Sequence, residues 1–148
     1  MSGSVEVSQS EDPPLRPLPW PDELTEGYWA AVRAHRLSIQ RCAECRRWNH
    51  APSLSCPACG SEKLAFEPVS GRAKVHSWTV LHNSPGPGFR DLLPLIVGIV
   101  ELDEQERLLM TTNLLNVEAD RLSLGMPVEV TYETLADGYV LPQFQPVS

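Results

Sequence analysis

The order of apolar and polar positions predicts a helix near the start of the chain. Residues 22–36 read DELTEGYWAAVRAHR, and within them Leu24, Tyr28 and Val32 recur at i, i+4 and i+8. This spacing places the three side chains on one face of a helix. The acidic residues come first and the basic residues last, which suits the helix dipole. Such a helix must dock on a surface, either of its own chain or of a partner subunit.

After residue 62 the pattern changes to short β-branched and aromatic runs separated by turn residues, which predicts strands. ELDEQERLL, residues 101–109, is typical of a hairpin with a charged tip, and NVEADRLSLG, residues 116–125, fits one or two helical turns. Five strands with a small helix between the third and the fourth follow the order of an OB-fold, a partly open barrel. The runs are KLAFEPV, GRAKVHSWTVLHN, LPLIVGIVELD, RLLMTTNLL, MPVEVTYETL and YVLPQFQPV.

Four cysteines, all those in the chain, form two C-x-x-C pairs within residues 42–59, CAECRRWNHAPSLSCPAC. Zn²⁺ takes four tetrahedral ligands in structural sites, and each C-x-x-C turn brings two sulfurs to one side of the ion. The pairs therefore predict one structural Zn²⁺ with complete coordination, and iron is the alternative metal for the same ligands. Gly60 suits the positive φ that follows the fourth ligand. The predicted ligands are Cys42, Cys45, Cys56 and Cys59.

Charge is unevenly distributed along the chain, whose formal net charge is −7. Residues 1–32 carry six acids and one base, residues 33–100 nine bases and four acids, and residues 101–148 nine acids and two bases. The acidic last third argues against general nucleic-acid binding, because that affinity comes mainly from neutralising phosphates. The basic middle suits a small anionic ligand, although arginines beside the cysteines equally balance the charge of four thiolates. The candidate CoA or anion contacts are Arg41, Arg46, Arg47, Arg72 and Lys74.

No residues show the spacing of a catalytic site, since the four histidines are scattered and every cysteine is assigned to the metal. Residues 84–89, SPGPGF, do not form a phosphate-binding loop, because prolines stand where amide donors are needed. This loop and the apolar residues near it indicate either contact with a partner or ligand, or a segment that covers the barrel mouth. The candidate partner contacts are Tyr28, Trp29, Trp78, Phe89, Leu92 and Leu93.

In this order, the helix, the cysteine stretch and the strands resemble the DUF35 family, in which a rubredoxin-like zinc ribbon is joined to an OB-fold. The resemblance runs from about Asp22 to Phe144. One departure is the hairpin usually written as a glycine turn, which reads LDEQERLL here. The motifs that carry the resemblance are YWAAVRAHRL, CAEC, CPACGS, SGRAKVHSWTVLH, LPLIVGIVELDE and LGMPVEVTYE.

Pattern and resemblance together predict a mainly β protein in four parts. These are a flexible tail over residues 1–19, a docking helix over 20–37, a zinc ribbon over 38–68 and a five-stranded OB-fold barrel over 69–148. The N-terminus lacks the basic and apolar regions of a secretory signal, and no apolar run reaches the roughly 20 residues of a membrane span. A reducing cytoplasm is therefore the expected compartment.

The resemblance implies a non-catalytic accessory or scaffold subunit in a hetero-oligomer that processes acyl-CoA. The favoured partner is a thiolase-like aldolase acting on steroid side-chain CoA thioesters, with this chain helping to shape the acyl-CoA channel. A MaoC-type enoyl-CoA hydratase and a thiolase–synthase pair are alternative partners. Two alternatives come from other classes: an OB module that binds single-stranded nucleic acid through aromatic platforms, and an enzyme in its own right.

Overall fold

The computed structural model of the protein describes residues 16–136 and 138–147. Within them, one α-helix precedes two β-sheets, and two short 3-10 helices, Arg90–Leu92 and Ala119–Arg121, lie in loops. Most of the predicted tail falls outside the described residues. The α-helix is α1 (Glu26–Arg33), and the strands are β1 (Ser38–Cys42), β2 (Trp48–Asn49), β3 (Leu64–Pro68), β4 (Arg72–Leu81), β5 (Leu95–Leu102), β6 (Leu109–Asn113), β7 (Pro127–Ala136) and β8 (Tyr139–Pro146).

Helix α1 is shorter than the apolar pattern predicted, because residues 22–25 form a capping turn instead. The Thr25 backbone N–H donates to Asp22 Oδ1 at 2.9 Å, and the Asp22 backbone N–H donates to Thr25 Oγ1 at 3.0 Å. The buried face of the helix consists of Tyr28 and Val32, and it packs on β1 and β8. This face therefore docks on its own chain. No helix among the described residues is long and apolar enough to cross a membrane.

The first three strands form a small sheet in the order β2-β1-β3, and the other five form a second sheet in the order β6-β5-β4-β7-β8. The two edge strands of the larger sheet meet: Leu114 pairs with Phe144, and the Leu115 N–H donates to the Phe144 carbonyl at 2.9 Å. A five-stranded antiparallel sheet that nearly closes in this way confirms the predicted OB-fold. The 3-10 helix Ala119–Arg121 lies where the helical turn between strands was predicted.

The helix, the small sheet and the barrel share one hydrophobic core. Val32 from α1, Ile39 from β1 and Phe144 from β8 are fully buried in the same cluster. Strand β5 shows how an apolar run serves this core: its alternate residues, including Val100 and Leu102, are buried, while those between them are half-buried. This alternation follows from the two-residue period of a strand. The small sheet and the barrel therefore fold around common side chains.

The hairpin between β5 and β6 reaches the small sheet through the side chain of Gln105. The Trp48 backbone N–H donates to Gln105 Oε1 at 2.9 Å, and Gln105 Nε2 donates to the Trp48 carbonyl at 3.0 Å. The amide thus pairs with the edge of β2 as a neighbouring strand would. It covers backbone groups that could otherwise pair with a strand of another chain. The hairpin tip, predicted to be charged, also accepts the Ser70 N–H at Glu104 Oε2, at 2.7 Å.

Replacing Gln105 by alanine is expected to lower the free energy of unfolding by about 1–3 kcal/mol, because the change leaves two polar backbone groups of a buried residue without partners. Urea unfolding of the metal-loaded protein measures this loss. Glu106→Ala is the matched control, since Glu106 is the exposed neighbour on the same hairpin. Equal unfolding midpoints for the two variants would contradict the assigned role of the Gln105 amide.

Candidate metal centre and contact surfaces

The four cysteines come together at one end of the small sheet. Their sulfur atoms all lie within 4.8 Å of one another. The Cys42 and Cys59 sulfurs are 3.6 Å apart, as are those of Cys45 and Cys56. Four sulfurs placed about 2.3 Å from one tetrahedral zinc ion would be about 3.8 Å apart, so the cluster has the dimensions of a zinc-ribbon site.

Two equivalent backbone turns deliver the ligands. The Arg46 N–H donates to the Cys42 carbonyl at 3.0 Å, and the Gly60 N–H donates to the Cys56 carbonyl at 2.8 Å. The residue after each pair has a positive φ, 66° at Arg46 and 81° at Gly60. The sequence predicted this conformation at the glycine. At the arginine it gave no signal, because the conformation is uncommon for residues with a side chain.

Backbone amides prepare the thiols for a cation. The N–H of Cys45, and after it that of Glu44, donates to the Cys42 sulfur and lowers the pKa of that thiol. The N–H of Cys59, followed by that of Ala58 and by the Cys45 and Asn49 side chains, lowers the pKa of Cys56 to about 6. The neighbouring Cys42 thiol and burial raise the pKa of Cys59 to about 12, so this thiol releases its proton last. Thiolates are the form that binds a metal, so these donors favour metal loading. Four such ligands complete a tetrahedral site and leave no position for a substrate.

Asn49 is a further polar residue at this centre, and no motif in the sequence pointed to it. Its side chain is buried, and its Nδ2 atom has no hydrogen-bond partner among the described residues. The same amide lies close enough to the Cys56 thiol to contribute to its lowered pKa, after the nearby backbone N–H groups. A buried polar group beside a ligand sulfur is the kind of outer-shell group that tunes a metal centre.

Asn49→Leu, which keeps the side-chain size and removes the donor, is expected to weaken metal affinity by about tenfold or more. Competition with a chromophoric chelator measures the affinity, and the thiolate-to-metal charge-transfer band of the Co²⁺ form reports the sulfur environment. Asn83→Leu makes the same change at an exposed loop position and should leave both readouts unchanged. Unaltered affinity and an unaltered band in Asn49→Leu would show that its amide does not act on the sulfur.

Two of the five candidate anion contacts already have a carboxylate partner. Arg41 and Arg46 both pair with Glu67, at 3.4 Å and 3.5 Å. The Arg41 guanidinium also lies 4.4 Å from the centre of the Trp48 ring. These contacts fit local charge balance beside the thiolates. The other three candidates are exposed, and they are Arg47, Arg72 and Lys74.

The structure separates the predicted partner contacts into two groups. Tyr28 is only 7% exposed and packs edge-on against Trp29, with ring centres 5.0 Å apart. Its burial leaves little of the ring for a partner. The other candidates are half-buried: Trp29 on α1, Trp78 on β4, and Phe89, Leu92 and Leu93 in the loop before β5. Sequence reasoning missed Trp20, which is 93% exposed.

A cavity of about 420 Å³ lies between α1, the loop that follows β2, and strands β5, β6 and β8. Its walls include Tyr28, Trp29 and His50 on one side and Val97 and Thr111 on the other. These residues are far apart in the sequence, so no local motif pointed to the cavity. It is a mostly apolar recess beside the helix, and it is partly open to solvent.

The class of the protein follows from the four-cysteine ribbon, the barrel and the helix α1 that packs on both. It is a zinc-ribbon protein with an OB-fold, and its metal centre has a full set of four cysteine ligands. The chain belongs to the DUF35 family. The family model for the rubredoxin-like zinc ribbon domain of ChsH2 matches residues 29–65, and the model for the C-terminal OB-fold domain of ChsH2 matches residues 66–133. The resemblance seen in the sequence is thereby confirmed.

Curated relatives extend this assignment. The probable enoyl-CoA hydratase alpha subunit of Thermomonospora curvata is 36% identical, over 95% of this chain and 43% of its own length. The 3-oxo-4,17-pregnadiene-20-carboxyl-CoA hydratase alpha subunit of Mycobacterium tuberculosis is 33% identical, over 88% of this chain and 40% of its own length. A DUF35 domain-containing scaffold protein of Pyrococcus furiosus is 33% identical, over 62% of this chain and 70% of its own length. The chain thus spans less than half of the first two relatives.

A solved structure described as the Ltp2-ChsH2(DUF35) aldolase is similar along nearly all of the matching chain. The TM-score is 0.78 at 34% sequence identity, and the match covers 86% of this chain and 98% of that chain. The arrangement of helix, ribbon and barrel is therefore shared with a protein solved as part of an aldolase.

Proposed function

We propose that this chain is a non-catalytic scaffold subunit of an acyl-CoA-processing complex, with a thiolase-like aldolase as its partner. The observation that carries the proposal is the similarity to the Ltp2-ChsH2(DUF35) aldolase, in which 98% of the matching chain is covered. The reacting residues would lie on the partner. Steroid side-chain CoA thioesters are the proposed substrates of the complex, because one relative is named as a pregnadiene-carboxyl-CoA hydratase subunit.

The metal in this proposal is one structural Zn²⁺, held by Cys42, Cys45, Cys56 and Cys59. The ion would hold four thiolates in a tetrahedron, and it would take no part in a reaction. The backbone N–H groups stabilise the thiolates. The metal centre in turn makes the small sheet rigid, so that its outer surface can contact a partner. Reduced cysteines used in this way fit the cytoplasm, where thiols are kept reduced.

The partner surface in this proposal is the half-buried apolar side of the loop before β5. Leu92 is the last residue of the 3-10 helix Arg90–Leu92 in this loop, and Phe89 and Leu93 flank that helix. A contiguous apolar patch that stays exposed on a folded protein commonly marks a contact with another chain. The candidate bases that have no carboxylate partner among the described residues are proposed to face the CoA phosphates, and these are Arg47, Arg72 and Lys74.

Co-expression with the thiolase-like protein encoded nearest to this chain tests the proposal. We expect the two chains to copurify, and we expect cleavage of a steroid side-chain acyl-CoA only when both are present. Phe89→Asp should reduce copurification, whereas Leu124→Asp, the same kind of change at an exposed leucine outside the loop, should not. Equal turnover by the partner alone, or cleavage by this chain alone, would overturn the proposal.

A hydratase is the second candidate partner, because two relatives are named as hydratase alpha subunits. The same copurification with a MaoC-type enoyl-CoA hydratase distinguishes the two. A stable complex that hydrates an enoyl-CoA and does not cleave the side chain would favour the hydratase.

A further inference from the structure

The cavity beside α1 is lined by uncharged side chains in the part of the chain that the structure describes. None of the described residues that line it is an aspartate, glutamate, lysine or arginine. Its one titratable base is His50, and burial lowers the pKa of that imidazole, so the ring is uncharged at neutral pH. A neutral, largely apolar recess favours uncharged ligands, because charged groups lose their hydration there without gaining a partner.

Aromatic rings form one wall of the cavity. Tyr28 packs edge-on against Trp29 and lies 5.6 Å from the His50 ring, measured between ring centres. Val97 and Leu141 contribute apolar surface from the barrel. Flat rings of this kind contact a flat ligand over a large area at little cost in conformational entropy.

Two polar groups in this wall remain available to a ligand. Among the described residues, neither the Tyr28 hydroxyl nor the His50 ring has a hydrogen-bond partner, and both residues line the cavity. Burial raises the pKa of Tyr28, so its hydroxyl keeps its proton and is a donor. A donor and an imidazole in an apolar wall can together recognise one hydroxyl or carbonyl oxygen.

The opposite wall is fixed by its own hydrogen bonds. Gln143 Oε1 accepts from Thr112 Oγ1 at 3.1 Å and from the Asn113 backbone N–H at 2.8 Å. Gln143 Nε2 donates to Glu133 Oε1 at 3.0 Å. These groups are already paired, so they shape the cavity and leave recognition to the aromatic wall.

We propose that this cavity binds an uncharged fused-ring group that carries a hydroxyl or carbonyl oxygen. The inference rests on the proposed function and deepens it: this chain would hold the ring system of the acyl group, away from the charged CoA. The bases expected to meet CoA phosphates do not line the cavity. The chain would thus help to select the acyl group by its shape and its lack of charge.

Testosterone and testosterone sulfate test the inference, since they share a ring system and differ in charge. Equilibrium dialysis of tritiated testosterone against the metal-loaded chain should show saturable binding, with the sulfate competing at least about tenfold more weakly. Tyr28→Phe removes a hydroxyl that has no partner among the described residues, so it should preserve the fold and weaken binding about fivefold. Thr111→Phe narrows the cavity and should weaken binding about tenfold or more.

Thr134→Phe is the control, because it adds the same ring to an exposed strand position that does not line the cavity. It should bind testosterone as the unmodified chain does. Absence of saturable binding, equal competition by the sulfate, or unchanged binding in Tyr28→Phe and Thr111→Phe would each overturn the inference. If testosterone does not bind but the aldolase complex forms, only the ring-binding inference is overturned. If testosterone binds but no complex forms, only the scaffold proposal is overturned.

Discussion

Cys42→Ser is expected to prevent stable metal loading and to lower the melting temperature by at least about 10 °C. Structural zinc contributes about 10–16 kcal/mol of apparent binding free energy in zinc-finger peptides, which matches or exceeds the stability of a typical domain. A loss of several kcal/mol in a chain of this size corresponds to such a shift. Cys42 is fully buried at the end of β1, so its loss also disturbs the shared core.

Metal content by atomic emission and thermal unfolding by circular dichroism measure this effect. Ala43→Ser places the same hydroxyl at the adjacent exposed position and should change neither readout. Chelation of the metal from the unmodified protein should reproduce the loss. Complex yield should fall with stability, while any complex that still assembles should keep near-normal turnover. A variant complex that assembled normally but lost turnover would show that the thiolates take part in the chemistry.

Phe144→Ala is expected to lower the free energy of unfolding by about 3–5 kcal/mol, the usual cost of removing a buried aromatic ring. Phe144 is fully buried on β8, at the point where that strand meets the residues that follow β6. Truncation of the Phe144 ring would leave a void where the barrel closes, and the surrounding paired strands cannot relax to fill that void. Urea unfolding of the metal-loaded protein gives the value.

Tyr139→Ala is the matched control on the same strand. Its side chain is 39% exposed, so the same truncation should cost about 1 kcal/mol or less. Equal losses of stability in the two alanine variants would contradict the claim that the buried Phe144 ring stabilises the barrel where it closes. Phe144→Leu, which retains most of the apolar volume, should fall between them.

The sequence predicted the features that depend on local spacing. A C-x-x-C pair supplies two of the four ligands of a tetrahedral site, so two such pairs predicted all four ligands of the metal. The strands were predicted because a half-buried strand repeats every two residues, as in β5, and turn residues separate one run from the next. The OB order then followed from the number of strands and the position of one helical turn.

Features that depend on distant residues were beyond the sequence. Gln105 meets Trp48 across 57 positions, and nothing in LDEQERLL distinguishes a solvated tip from one that pairs with a strand. The start of α1 was placed too early, because a turn held by Asp22 and Thr25 resembles the first turn of a helix. The cavity and the role of Asn49 arise only when ribbon, helix and barrel pack together.

The Gln105 bridge makes metal loading a property of the whole molecule. Because the amide joins the ribbon edge to the hairpin between β5 and β6, the two regions cannot open independently without breaking it. By thermodynamic linkage, a metal that binds only the folded ribbon also suppresses opening of barrel strands that never touch it. Amide hydrogen exchange in β5 and β6 should then slow as metal is added, and Gln105→Ala should reduce that protection to the part transmitted through the shared core.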